Sequence, residues 1–154
     1  MARPTLGHLL DLCDENYRLL SRLVPGLAGL AGEWVLRSAG SPELCLSVVE
    51  QTPYTTLFHL GYRFSAAADL GDPHALLRAY HDARQLELLE LRRLPPQLDF
   101  VAGLDALEAK WRVNLFLGKW LRYCCEQQRR FGPVERRYGA SLHAGCQAWP
   151  SAAL

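Results

Sequence analysis

The chain has 154 residues, of which 49% are hydrophobic and 21% are charged. This length suits one globular domain, and this composition is not that of a disordered protein. The formal net charge of +1 is too small to indicate a surface for nucleic acid, so we expect no nucleic-acid partner.

The amino-terminal region shows no targeting or membrane signal. Leu9 and Leu10 are followed at once by Asp11 and Asp14, so we expect no signal peptide. No apolar run approaches the roughly 20 residues that cross a bilayer, so we expect no membrane partner. The five cysteines lack the spacing of a disulfide framework. Reduced thiols in a cytoplasmic protein are the simplest interpretation.

Two segments have helical periodicity. Thr5 is expected to cap a helix that ends near Leu23. The apolar face predicted for this helix consists of Leu6, Leu10, Cys13, Tyr17, Leu20 and Val24, and it is widened on one side by Leu9, Leu12, Leu19 and Leu23. Asp105, with Glu108 as a capping-box partner, is expected to begin a second, longer helix that reaches about Arg130.

Between these helices the sequence predicts antiparallel strands. Strand-like runs span residues 33–39, 43–51 and 54–65, and residues 74–92 predict either one long bulged strand or a hairpin. The expected fold is therefore α+β: an N-terminal helix, an antiparallel meander of about four strands, and a long C-terminal helix packed on the sheet in two layers. We assign residues 1–138 to a single domain and residues 139–154 to a loose tail.

Four segments together resemble a known family. They are residues 9–17 (LLDLCDENY), 49–56 (VEQTPYTT), 78–83 (RAYHDA) and 114–124 (NLFLGKWLRYC). In this order they are similar to the YqiB-like family, a bacterial domain family of unknown function. The resemblance implies an intracellular bacterial setting. It supplies no catalytic residue, because the family has no established activity.

Motifs for common cofactors and catalytic mechanisms are absent from the sequence. No glycine-rich loop has the spacing that binds a nucleotide, and no serine lies in a nucleophile motif. The histidines and cysteines lack the close pairs of a zinc site, so we expect no metal and no cofactor. His81-Asp82 is similar to the metal-binding pair of some phosphohydrolases, but the other motifs of those enzymes are missing.

Two asparagines interrupt apolar helix faces. Asn16 lies among leucines of the first helix, and Asn114 lies among apolar residues of the last. A buried amide is costly unless it is hydrogen-bonded. We expect both to be structural, tying the helices to the sheet backbone or to each other; the alternative is that they line a polar pocket.

The most polar strand-like segment contains Arg78, Tyr80, His81, Asp82 and Arg84, which form the candidate ligand-binding residues. All except His81 share one strand parity and could form a polar stripe, from which Arg78, Asp82 and Arg84 are expected to project into a concavity bounded by the sheet and a helix or loop. His81 is expected to face the other layer. Salt bridges within the stripe are the structural interpretation. An anion site in which the arginines hold a phosphate or carboxylate is the functional one.

Aromatic side chains form a second candidate surface on the last helix. Phe116, Trp120 and Tyr123 lie away from its main apolar face, and Arg122 is expected at their rim. Such residue types are enriched in protein interfaces. They are either covered by other parts of the chain or form an interface with a protein partner or a second copy.

Three functions remain open. We favour a non-catalytic intracellular binding or regulatory protein whose ligand is a small anionic metabolite such as a nucleotide. The first alternative is an enzyme of unrecognised type that acts on a phosphorylated substrate through His81, Asp82 and Arg84. The second is an adaptor or chaperone-like dimer.

Overall fold

The computed structural model describes residues 3–40, 42–63, 74–92, 105–127 and 129–133. Its elements are α1 (Leu6–Leu23), a 3-10 turn (Leu27–Gly29), β1 (Glu33–Arg37), β2 (Glu43–Gln51), β3 (Thr55–Arg63), β4 (His74–Tyr80), β5 (Gln85–Arg92), α2 (Ala106–Glu126) and β6 (Arg130–Pro133). The predicted α+β class is confirmed. The tail proposed for residues 139–154 lies outside the described residues.

Six antiparallel strands form one sheet in the order β5-β4-β3-β2-β1-β6. From β1 to β5 each strand pairs with the next along the chain, as expected for a meander. Residues 74–92 form a hairpin, which decides between the two predicted alternatives. The final strand, β6, follows α2 and pairs with β1 at the opposite edge. These two features raise the strand number above the four predicted.

Helix α1 begins with reciprocal hydrogen bonds between Thr5 and His8. The Thr5 hydroxyl accepts from the His8 backbone N–H at 3.2 Å, and His8 Nδ1 accepts from the Thr5 N–H at 3.2 Å. The apolar face predicted for this helix is wrong at its start, because Leu6 and Leu10 are 61% and 51% exposed. The buried side begins at Leu9, one of the leucines that widen the predicted face, since α1 packs against both α2 and β5.

Asp105 caps helix α2 as predicted, but the Glu108 side chain does not form the predicted capping-box bond, and the helix ends earlier. The Asp105 carboxylate accepts from the Glu108 backbone N–H at 2.8 Å, while the Glu108 carboxylate pairs with Arg112 at 3.5 Å. The predicted end near Arg130 is wrong, because the helix stops at Glu126. The chain then runs antiparallel to β1 as β6, and its backbone forms hydrogen bonds with the edge of β1. A longer helix would leave those backbone groups of β1 without a strand partner.

Both helices contribute to a core that covers one face of the sheet. Phe58 and Leu60 of β3 and Leu77 of β4 are fully buried in this core, together with Leu117 and Leu121 of α2. Because side chains alternate along a strand, the residues between them point to the other face of the sheet, which we call the outer face.

Candidate ligand-binding site

The turn that joins β4 to β5 places His81 against α1. Its Nδ1 atom lies 2.9 Å from the Tyr17 hydroxyl oxygen, and its Nε2 atom lies 2.7 Å from the Thr56 hydroxyl oxygen. The His81 backbone N–H donates to the Tyr54 carbonyl at 2.8 Å. The imidazole is therefore held from α1, from β3 and by its own backbone.

The hydrogen bonds of Gln51 determine which group donates and which accepts at each contact between Gln51, Thr56, His81 and Tyr17. The Gln51 amide nitrogen donates to the Leu27 and Leu30 carbonyls at 2.9 and 2.8 Å, so its oxygen faces the Thr56 hydroxyl as an acceptor. Thr56 gives its single hydrogen to Gln51 and must accept from His81 Nε2–H. The other nitrogen of neutral His81 then accepts the hydrogen of the Tyr17 hydroxyl.

The surroundings of His81 also favour its neutral form. Burial lowers the pKa of His81 from its ordinary value of 6.5, and the nearby Asp82 carboxylate opposes this shift only in part. Thr56, whose hydroxyl oxygen accepts a hydrogen bond from the imidazole N–H, is fully buried. At neutral pH the Tyr17 hydroxyl therefore donates its hydrogen bond to His81 Nδ1.

A pocket of about 200 Å³ opens beside this pair. Its walls come from the second half of α1, from the segment around the 3-10 turn and from His81; the lining residues are Tyr17, Leu20, Ser21, Val24, Gly26, Leu27, Ala28 and His81. The Ser21 hydroxyl donates to the Tyr17 backbone carbonyl at 2.9 Å. The pocket thus combines an apolar wall with two hydroxyl groups and an imidazole.

Arg84 is an exposed residue of the β4–β5 turn that contacts the Tyr17 ring of this pocket, and its backbone conformation is unusual for its residue type. Its φ is +54°, whereas the other positive φ angles in the described residues belong to glycines. The guanidinium carbon lies 5.5 Å from the centre of the Tyr17 ring, within the range of a cation–π contact. Among the residues that the structure describes, the ion pairs involve other cations, and Arg84 is in none of them.

The predicted polar stripe is wrong, because β4 ends at Tyr80 and residues 81–84 form a turn. Arg78 and Tyr80 alternate with the core residues of β4 and lie on the outer face. Asp82 is exposed in the turn. Of the five candidate residues, the structure brings only His81 and Arg84 to the helical layer.

Sequence reasoning misses the two side-chain partners of His81, Tyr17 and Thr56, and it misses Gln51, which bonds Thr56. The sequence places Tyr17 on the apolar face of α1 and indicates no role for Thr56 or Gln51. One signal was available: Thr56 is a polar residue at an inward-facing position of a strand whose other inward residues are large and apolar. A buried hydroxyl at such a position needs a hydrogen-bond partner.

The two asparagines join the helices to each other and to the sheet. Asn114 accepts from the buried Leu88 backbone N–H at 3.1 Å and donates to the Lys110 carbonyl at 2.8 Å. Asn16 donates to the Asn114 backbone carbonyl at 2.9 Å. Neither asparagine lines the pocket beside His81 or the aromatic pocket of α2, and their hydrogen bonds are those of structural groups.

The aromatic residues of α2 enclose a separate apolar pocket of about 340 Å³, lined by Tyr62, Leu91, Phe116, Lys119, Trp120 and Tyr123. Trp120 packs against Tyr62 with ring centres 5.5 Å apart. Arg122, which is expected at the rim of this surface, is exposed, and its guanidinium lies 4.0 Å from the Glu15 carboxylate of α1.

Comparisons with known proteins agree on one family. The sequence profile of a family described as protein of unknown function, DUF1249, matches residues 19–130. The uncharacterized protein YqiB of Escherichia coli K12 is 31% identical over 125 residues, which cover 79% of this chain and 89% of YqiB. YqiB from the O6:H1 and O157:H7 strains of the same species matches equally well.

No solved structure matches significantly. Within the described residues, neither helix is long and apolar enough to cross a membrane. The family profile spans most of the chain, and the similarity to YqiB extends over nearly the whole of that protein. The chain therefore belongs to the DUF1249 family, in agreement with the YqiB-like resemblance of its sequence.

Proposed function

We propose that this protein is a non-catalytic binding or regulatory protein whose ligand places one acidic group in the pocket between α1 and the β4–β5 turn. The observation that carries the proposal is the left-handed backbone conformation of Arg84, whose guanidinium lies over the Tyr17 ring. An arginine in the left-handed region costs on the order of 1 kcal/mol in backbone strain. Folding alone would favour glycine or asparagine there, whereas an anion site needs the guanidinium.

The size of the pocket limits the ligand. About 200 Å³ is below the 300–1,000 Å³ of sites that enclose a drug-sized molecule. A phosphate or carboxylate with a few carbon atoms fits this volume. A nucleotide, which remains within the proposal, would insert a phosphate beside Tyr17 and leave its base outside the pocket.

Binding has more support than catalysis. An enzyme that used His81, Asp82 and Arg84 would need His81 to present a nitrogen to its substrate. Both nitrogens of His81 are instead engaged, by Tyr17 and by Thr56. Asp82 is exposed and makes no recorded hydrogen bond with His81, so the geometry offers no acid–base pair.

The remaining part of the proposal is the setting. We place the protein in the cytoplasm, where thiols stay reduced. Cys13 and Cys124 support this, because they are buried without a disulfide bond. The adaptor or dimer hypothesis depends on the aromatic pocket of α2, and a sedimentation experiment described below tests it.

The pocket is tested by thermal unfolding with inorganic phosphate. For a dissociation constant of about 1 mM, 10 mM phosphate stabilises the folded protein by about 1.4 kcal/mol, which raises Tm by roughly 3–6 °C. Arg84→Gly should abolish the rise while the protein stays folded, since glycine accepts the same backbone conformation. Arg78→Ala, which removes the same charge from the outer face, should retain it.

Two results would overturn the proposal. The first is an unchanged Tm of the unmodified protein with millimolar phosphate, small carboxylates and nucleotides. The second is an equal phosphate response in the protein and in Arg84→Gly, because the anion would then bind elsewhere.

A further inference from the structure

We infer that binding of the acidic group is coupled to uptake of one proton by His81, which turns the Tyr17 hydroxyl from His81 towards the ligand. This inference rests on the proposed function and adds the regulation of the same site. Its basis is the chain of hydrogen bonds from Gln51 through Thr56 and His81 to Tyr17, in which the donor of each bond follows from the previous one.

In the ligand-free protein the pocket lacks hydrogen-bond donors among these side chains. The Tyr17 hydroxyl donates to His81 Nδ1, and the Ser21 hydroxyl donates to a backbone carbonyl. Both oxygen atoms therefore present lone pairs to a ligand. An anion that approaches the Arg84 guanidinium would meet acceptors at Tyr17 and Ser21, which oppose its binding.

Protonation of His81 reverses the role of Tyr17. The added proton makes Nδ1 a donor, so the Tyr17 oxygen must accept from it. The hydroxyl hydrogen then points away from His81, and Tyr17 lines the pocket. The bond between Nε2–H and Thr56 is unchanged, because that nitrogen is already the donor. The imidazole does not need to move.

The charges around His81 determine when this happens. α1 contributes Tyr17, and the turn contributes Asp82 together with Arg84, whose guanidinium lies over the Tyr17 ring. β2 and β3 contribute the uncharged groups of Gln51 and Thr56. Burial alone keeps His81 neutral, and a bound anion supplies the negative charge that favours its protonated form. Ligand and proton therefore bind together.

The test is calorimetry with sulfate, whose charge is constant across the range in which His81 titrates. Titrations at one pH in buffers with different ionisation enthalpies should show about one proton taken up per sulfate. Between the pKa values of free and bound His81, the affinity should rise up to tenfold for each pH unit lowered. His81→Gln should abolish this pH dependence, and Tyr17→Phe should weaken binding while the aromatic ring remains.

Nuclear magnetic resonance of the His81 ring supplies an independent readout. Saturating sulfate should raise the pKa of His81, because the bound anion favours the protonated form of the imidazole. Sulfate binding that depends on Arg84 but takes up no proton would overturn the coupling and leave the proposed function intact. Absence of sulfate binding across the pH range would overturn both.

Discussion

Gly118 of α2 faces the side chain of Asn16 in α1 at short range, which makes it a sensitive position for testing the packing. A Cβ atom added at Gly118 would lie 2.7 Å from the Asn16 side-chain oxygen, closer than real Cβ contacts. Asn16 is fully buried, and its amide nitrogen donates to the Asn114 carbonyl at 2.9 Å. The amide therefore has little freedom to move aside.

The size of the effect follows from two opposing contributions. Gly→Ala inside a helix normally stabilises by about 1 kcal/mol. Here the Asn16 oxygen must retreat by about 0.7 Å to reach an ordinary contact distance of 3.4 Å, which strains or breaks its bond to Asn114. Loss of a buried hydrogen bond together with overpacking costs about 2–4 kcal/mol. Gly118→Ala should lower the free energy of unfolding by about 1–3 kcal/mol.

Urea unfolding in two backgrounds tests this reasoning. With Asn16→Ala already present, the 2.7 Å contact is removed and the new methyl group meets Leu12 at an ordinary 3.7 Å, so Gly118→Ala should stabilise that variant by about 0.5–1 kcal/mol. Gly7→Ala is the matched control in α1, where the added Cβ would meet Thr5 at 3.7 Å, and it should not destabilise. If Gly118→Ala stabilises both backgrounds equally, the close approach to Asn16 does not constrain the fold.

Three further predictions concern other parts of the molecule. Asn114→Ala should cost about 1–3 kcal/mol in urea unfolding, because it leaves the buried Leu88 N–H without its acceptor; unchanged stability would contradict this. Because the pKa of His81 is lowered on folding, its contribution to stability is complete above pH 6.5 and is lost as the pH falls through the lower folded-state pKa. The stability difference between the protein and His81→Gln should therefore shrink with falling pH, and a constant difference would exclude this. Trp120→Ala should shift a dimer towards monomer in sedimentation velocity, whereas a monomeric unmodified protein at high concentration would rule out the interface.

The secondary structure that local patterns encode was largely predictable. Thr5 and Asp105 cap their helices through contacts with residues three positions away, so the signal lies within one turn of sequence. The strand-like run at residues 54–65 predicted β3, in which the buried Phe58 and Leu60 lie two positions apart and share one face. The apolar side of α1 was less predictable at Leu6, because two neighbouring elements rather than one choose which side is covered.

Tertiary structure alone decided the two features that matter most for the site and the sheet edge. Arg130–Pro133 becomes β6 because the meander leaves an edge of β1 that its backbone can pair with, and four residues that contain glycine and proline carry no strand pattern of their own. His81 acquires its role from Tyr17 and Thr56, which are 64 and 25 positions away in the chain. Parity rules apply only while a strand continues, and β4 stops one residue before His81. The sequence by itself determined the helices, the meander and the family. The protonation and contacts of His81 depend on groups that only folding brings within hydrogen-bond distance.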